Sequence, residues 1–317
     1  MVGRLRVVKT AFLFPGQNSQ RVGMGRDLCD AYPELKRRYF DRADELLGFS
    51  LSRLCFEGPE DELVRTEIQQ PAIFLVSVAI WSLLIERGIR PEAVAGHSLG
   101  EYSALVAAGS LGFEDGLALT RRRGELMAGV GARTGGIMAA ILGLAANEVE
   151  TVCAESSHAG VVEVANFNSP SQTVISGEEA AVTLAMEAAR ARGAQRAIRL
   201  QVSAPFHCSL MAPLAEAFEP ELQRVSFSAP QVPVVANVTA DYESGADEIR
   251  ANLVQQLASS VRWSDSVRRL VADGVDTFVE VGPGKVLTGL MRAIDPSVSA
   301  YRTDDEATLQ KTVAALT

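Results

Sequence analysis

The chain has 317 residues, enough for two domains. Hydrophobic residues make up 47% and charged residues 22%, an ordinary globular usage that excludes a disordered or fibrous chain. With 30 Lys and Arg against 39 Asp and Glu the net charge is −9, which argues against a nucleic-acid binder but leaves room for a local basic patch.

Arg4, Arg6 and Lys9 precede an apolar run, Ala11 to Phe14, that is too short for a signal-peptide core. Lys9 to Phe14 reads as a buried strand ending in the turn Pro15-Gly16-Gln17-Asn18. Helices are expected over about Asp30 to Leu47 and Gln69 to Arg87, the second apolar on nearly every face and therefore buried. Its apolar stretch, Pro71 to Ile85, falls short of the about 18–20 residues that span a bilayer, so no membrane role is expected. Ala93 to Ala95 is a brief strand, and Glu101 to Ala108 and Phe113 to Met127 are helices.

The character changes near Thr134. Strands are expected at Gly135 to Leu144, Val161 to Asn166, Thr173 to Gly177 and Gln195 to Leu200, with helices at Asn147 to Ser156 and Glu178 to Arg192. The order βαββαβ fits a ferredoxin-like unit inserted into a larger domain. The expected division is 1–133 with 203–317 for the large domain and 134–202 for the small one. Helices at Ser209 to Phe218, Ile249 to Leu257 and Ser264 to Ala272, and strands at Val232 to Asn237 and Thr277 to Val281, complete the large domain. A last helix ends near Ile294. Alternating strands and helices on both sides of the insert predict an α/β fold with a mostly parallel sheet. The four cysteines, Cys29, Cys55, Cys153 and Cys208, are far apart and lack C-x-x-C spacing. No disulfide framework or metal site is expected, and the setting is cytoplasmic.

Gly96-His97-Ser98-Leu99-Gly100 is G-x-S-x-G between a predicted strand and a predicted helix. Its glycines allow a turn sharp enough to present one hydroxyl above the sheet edge, with helix N–H groups behind it. The plain alternative is a helix-capping Ser in a tight turn. A reactive hydroxyl needs a base, and the chain has only three histidines. His97 adjoins the Ser and points elsewhere from such a turn, and His158 reads as a surface residue. Elimination favours His207. The acid of a Ser-His-Asp triad is not legible: either a backbone carbonyl orients the imidazole or the pattern cannot be read.

Arg121-Arg122-Arg123 lies on a predicted helix, where such a run is normally a solvated face. At about 100° per residue, three consecutive side chains splay over about 200°, so at least one turns inward. A buried guanidinium needs an anion, and a substrate carboxylate fits its two-pronged geometry. Gly282-Pro283-Gly284-Lys285 has neither phosphate-loop nor dinucleotide spacing and reads as a tight strand-to-helix turn.

Together these segments resemble the malonyl-CoA:acyl carrier protein transacylases of fatty acid and polyketide synthesis. The resemblance runs from Phe14-Pro15-Gly16-Gln17 through Gly96 to Tyr102, Arg123-Gly124 and Asn166-Phe167-Asn168-Ser169-Pro170. It continues through Ser203-Ala204-Pro205-Phe206-His207, Gln256-Leu257 and Glu280 to Lys285. It implies an α/β-hydrolase-like large domain and a ping-pong acyltransferase needing no cofactor. Malonyl-CoA and a holo acyl carrier protein are its substrates, and the family tends to be monomeric.

By the resemblance, Ser98 is the acylated nucleophile and His207 its base, oriented by the backbone carbonyl of Gln256. Gln17 and Leu99 supply oxyanion N–H groups, and Arg123 clamps the malonyl carboxylate. Asn166 and Asn168 shape a wall from the small domain. Phe206 before the His and Leu99 after the nucleophile go with malonyl rather than methylmalonyl. One departure is Asn18, where relatives usually carry glycine; if the position needs positive φ, Asn is the best substitute. Because carrier proteins are acidic, the cluster Arg190, Arg192, Arg196 and Arg199 is the expected docking edge, with Arg196 foremost; the alternative is solubilising charge. The rival activity is an acyl hydrolase on the same scaffold, which has no use for a carboxylate clamp. A non-enzymatic carrier-binding scaffold is the third reading.

Overall fold

The strand Thr10–Phe14 (β1) is buried at every residue, and its side chains alternate between two cores. Phe12 and Phe14 enter the main core, while Ala11 and Leu13 enter a second cluster with Trp263 and Phe278. This pattern follows from the period of two in a strand covered on both faces. The computed structural model describes residues 9–202 and 204–317, the side chains of 130–134 apart. Arg4, Arg6 and Ser203 of the sequence reading lie outside the described residues.

β1 is the middle of a five-stranded sheet with Ala93–Gly96 (β2), Val234–Val235 (β7), Thr277–Glu280 (β8) and Ser299–Arg302 (β9), in the order β7-β2-β1-β8-β9. Every pairing in it is parallel. Ile137–Leu142 (β3), Val162–Ser169 (β4), Gln172–Gly177 (β5) and Arg196–Arg199 (β6) form a second sheet, ordered β4-β5-β3-β6 and antiparallel throughout. The chain is thus an α/β protein with a small second domain. The helices Ala146–Ser156 and Glu179–Ala191 cover one face of the small sheet, where Val149, Val182 and Ala185 pack with Ile137, Ala139 and Ile141 of β3. Met138, Ala140 and Val174, on the other face, join the main core.

Several elements differ from the sequence reading. The expected helix Asp30 to Leu47 is broken into Arg26–Ala31, Pro33–Leu35, a π-helical turn Lys36–Asp41 and Arg42–Leu47. Pro33 forces the first break because its ring cannot continue the preceding turn. The strand expected at Val232 to Asn237 shrinks to β7, and β9 and the helix Glu306–Leu316 were not foreseen. The helix expected from Gln69 begins at Thr66 and runs to Glu86. It is long and apolar enough to cross a membrane by composition, contrary to the estimate from its continuous apolar stretch, yet it is buried inside the protein almost throughout. Pro71 sits within it and leaves the Glu67 carbonyl without its helical donor. Arg121 Nη1 takes that place at 2.9 Å.

Candidate active site

The turn after β2 is built by close approach. A Cβ on Gly96 would lie 2.0 Å from the Gly100 carbonyl, and one on Gly100 would lie 2.0 Å from the carbonyl oxygen of Phe14. Only glycine fits at either position. Ser98, between them, has φ of 52°, in the left-handed region that a residue with Cβ seldom occupies. Asn237 bridges the turn: its Oδ1 accepts from the Ser98 backbone N–H at 2.6 Å and its Nδ2 donates to the Gly96 carbonyl at 2.6 Å. The helix Gly100–Ala107 follows directly.

Ser98 Oγ lies 2.8 Å from Nε2 of His207, and Nδ1 of His207 lies 2.8 Å from the backbone oxygen of Gln256. A carbonyl oxygen only accepts, so Nδ1 carries the proton and Nε2 offers its lone pair to the hydroxyl. His207 also has positive φ, 59°. Burial, reinforced by the nearby Arg123 charge, pushes its imidazole down to about 3. The base is therefore neutral at physiological pH. Of the two readings of the missing acid, the backbone carbonyl is the one the geometry contains.

Of the three arginines, Arg121 pairs with Glu125 and lies over the Phe49 ring, and Arg122 pairs with Glu221 and Glu125. Arg123 turns inward and is 0% exposed. Its Nη2 donates to Ser98 Oγ at 3.1 Å and to Gln256 Oε1 at 2.9 Å, and its Nη1 donates to Gln70 Oε1 at 2.7 Å. All three acceptors are neutral. Burial lowers the affinity of Arg123 for its proton. Its guanidinium carbon stands 5.8 Å from the Tyr102 ring centre.

Gln17, Asn18, His97, Ser98, Met138, Asn166, Leu200, Val202, Phe206 and His207 line a cleft of about 90 Å³ between the two sheets. Asn18 has φ of 69°, so the position does need positive φ, which Asn tolerates better than most residues with a Cβ. Asn166 enters the cleft wall at a bulge in β4, where the pairing slips between Val164 and Asn166. Asn168 holds His97 Nε2 at 2.8 Å, and the His97 ring also packs against Trp263, so this imidazole is committed away from Ser98. His158 is exposed and its Nδ1 meets the Glu155 carbonyl. Leu99 is fully buried, and its side chain is not part of the cleft lining. Gln17 donates through Nε2 to Gln69 Oε1.

Several residues that contact the site were not singled out, among them Met138, Leu200 and Val202 in the cleft lining and Gln69 beside Gln17. Gln70, Asn237 and Glu101 gave only faint signals. Gln69-Gln70 is a polar pair opening an otherwise apolar helix, Asn237 ends an expected strand, and Glu101 looks like a helix-dipole charge. The Gly282-Pro283-Gly284-Lys285 turn is not a phosphate site, because the carboxylate of Glu280 accepts from the backbone N–H groups of Leu287 and Thr288 at the following helix's N-terminus.

A hydroxyl in contact with both a neutral imidazole and a buried cation, at the head of a helix in an α/β protein, is equipped for acyl transfer. The acyl transferase domain family matches residues 11–307, and the chain belongs to that family as an acyltransferase. The chain is 46% identical over 309 residues to the malonyl CoA-acyl carrier protein transacylase of Salmonella typhimurium, covering 97% of this chain and 98% of that protein. It is 45% identical to the protein of that name from Bacillus subtilis, covering 97% of each. A malonyl-transacylase solved in complex with a holo type II PKS acyl-carrier protein superposes with a TM-score of 0.94 at 42% identity, over 97% of this chain and 99% of that one.

Proposed function

We propose that this malonyl-CoA:acyl carrier protein transacylase works by a ping-pong reaction through a malonyl ester on Ser98. The observation that carries the reading is the position of Ser98 Oγ between His207 Nε2 and Arg123 Nη2. His207 takes the hydroxyl proton as Oγ attacks the thioester carbonyl. The collapsing tetrahedral intermediate expels CoA thiolate, which receives the proton from His207. The phosphopantetheine thiol of the carrier protein then attacks the ester, and the proton returns to Ser98 by the reverse path. The backbone N–H groups of Gln17 and Leu99 are assigned to the oxyanion. Losing one such donor typically slows reactions of this kind ~10²–10³-fold. No metal or cofactor of the protein's own enters these steps.

Arg123 is assigned to the free malonyl carboxylate, which exchanges a neutral acceptor for an anion. An acetyl group offers no such partner, and sites built around a polar contact reject the analogue lacking it strongly. The bulk of Phe206 in the cleft lining supports a short, unbranched acyl group, and with it malonyl over methylmalonyl. The large domain, 1–133 with 203–317, is read as α/β-hydrolase-like, and the small one, 134–202, as ferredoxin-like. A cytoplasmic setting is supported by four buried, unpaired cysteines.

Carrier docking is assigned to Arg196. Arg192 pairs with Glu155, Arg199 pairs with Glu179, and Arg190 donates to the Ala197 carbonyl. Among the described residues Arg196 makes no ion pair and is exposed, four residues before the cleft-lining Leu200. The test is the intact mass of the protein after malonyl-CoA, with and without holo carrier protein. A transferase holds one malonyl group until the carrier removes it. Release of malonate without carrier would point to a hydrolase instead.

A further inference from the structure

Glu101 takes no part in the steps above, yet it is 0% exposed and stands in the first turn of the helix behind Ser98. Its Oε2 accepts from Nε2 of Gln256 at 2.7 Å and from the backbone N–H of Asn237 at 3.2 Å. Nε2 of Gln256 also donates to the Ser98 carbonyl at 3.0 Å, which leaves Oε1 to face Arg123. A carboxamide has nearly the same shape when turned over, so its neighbours decide which end points where. Here the Glu101 oxygen and the Ser98 carbonyl both call for a donor, and the guanidinium calls for an acceptor.

We propose that Glu101 is a positioning residue that fixes the direction of the Gln256 carboxamide and, through it, the seat of the Arg123 guanidinium beside Ser98. Without it only the Ser98 carbonyl holds Nε2 in place. A turned carboxamide would set its NH₂ against the guanidinium and drive the cation away from the serine. The inference rests on the acyl-transfer reading of the site.

A second observation bears on the same residue. Oε1 of Glu101 and Oε2 of Glu243 are both buried without a hydrogen-bond partner among the described residues. The other oxygen of Glu243 is held by Asn252, one helical turn before Gln256 on the helix Ala246–Ala258. Burial and the charge of Glu243 raise the Glu101 carboxyl well above the usual range. A proton on the unpartnered Oε1 leaves Oε2 an acceptor, so the contact to Gln256 survives either charge state. Glu101→Gln therefore keeps the acceptor, whereas Glu101→Met removes it at similar volume.

The test compares malonyl- and acetyl-enzyme formation from the two CoA thioesters in Glu101→Met, Glu101→Gln, Gln256→Met and the double variant Glu101→Met/Gln256→Met. Glu101→Met is expected to slow malonyl acylation about 10–100-fold and to lower the malonyl preference in proportion. Glu101→Gln keeps the preference, and the double variant loses no more than Gln256→Met alone. Equal losses on both thioesters, no rescue by Gln, or multiplied losses in the double variant would overturn the proposal. If Glu101→Met does not fold, Glu101→Asp, which withdraws the acceptor by one methylene, enters the same cycle with the same expectations. A wild-type protein that takes up no malonyl group would overturn the acyl-transfer reading instead.

Discussion

Nη2 of Arg123 stands 3.1 Å from Oγ of Ser98, so the residue assigned to substrate recognition touches the residue assigned to bond formation. The same guanidinium donates to two carboxamides, Gln70 through Nη1 and Gln256 through Nη2, so the groups that the proposed reading assigns to selectivity and to reactivity share one contact.

Arg123→Ala should therefore reduce malonyl acylation far more than acetyl acylation. The ratio of kcat/KM for the two thioesters is expected to fall by a factor of ~10³ or more. Parallel measurement of both acyl-enzymes checks this, and an unchanged ratio would remove Arg123 from recognition.

The pH profile tests the state of His207. A depressed imidazole stays in the free-base form down to its own folded value, about 3, instead of titrating near the ordinary 6.5. The kcat/KM for malonyl-enzyme formation should stay level from pH 8 to about 5. Because the Arg123 charge adds to burial in lowering His207, Arg123→Ala should shift any acid limb upward. A wild-type limb centred near 6.5 would contradict the assignment.

Glu243 predicts a stability effect of opposite sense. Burial, joined by the Glu248 charge, raises its carboxyl to about 7 against an ordinary 4.5. The folded state then binds the proton more tightly than the unfolded chain, so stability present below about 4.5 is lost as pH rises through about 7. Glu243→Gln retains the acceptor for Asn252 without the charge. Its Tm relative to wild type should rise between pH 5 and pH 8. A constant difference would show that Glu243 does not titrate in this way.

Arg196→Glu should raise the KM for holo carrier protein and leave acylation by malonyl-CoA unchanged. Steady-state kinetics of the two half-reactions separate these effects. Equal loss in both would place Arg196 outside the docking surface.

Much of the site was legible because it is local in sequence. Gly96 to Gly100 carries its own turn geometry, and three adjacent arginines on one helix must include an inward one. His207 emerged by elimination from only three histidines. What the residues alone hid depends on long-range placement. The backbone oxygen of Gln256 beside His207 has no residue-type signature and was reached only through the resemblance, and Asn237, which reaches Ser98 across 139 positions, was not found. The fold was read correctly where period and length agree, as in β1 and the inserted βαββαβ segment. It was misread where Pro33 and a π-helical turn break one apolar pattern into several short helices. The short edge strand β9 escaped notice because its burial pattern is mixed.

The most direct measurement is the intact mass of wild type and Ser98→Ala after exposure to malonyl-, methylmalonyl- and acetyl-CoA. The account predicts one malonyl group on the wild type, little or none of the other two acyl groups, and no adduct on Ser98→Ala. A malonyl adduct on Ser98→Ala, or acetyl uptake by the wild type as ready as malonyl uptake, would contradict it.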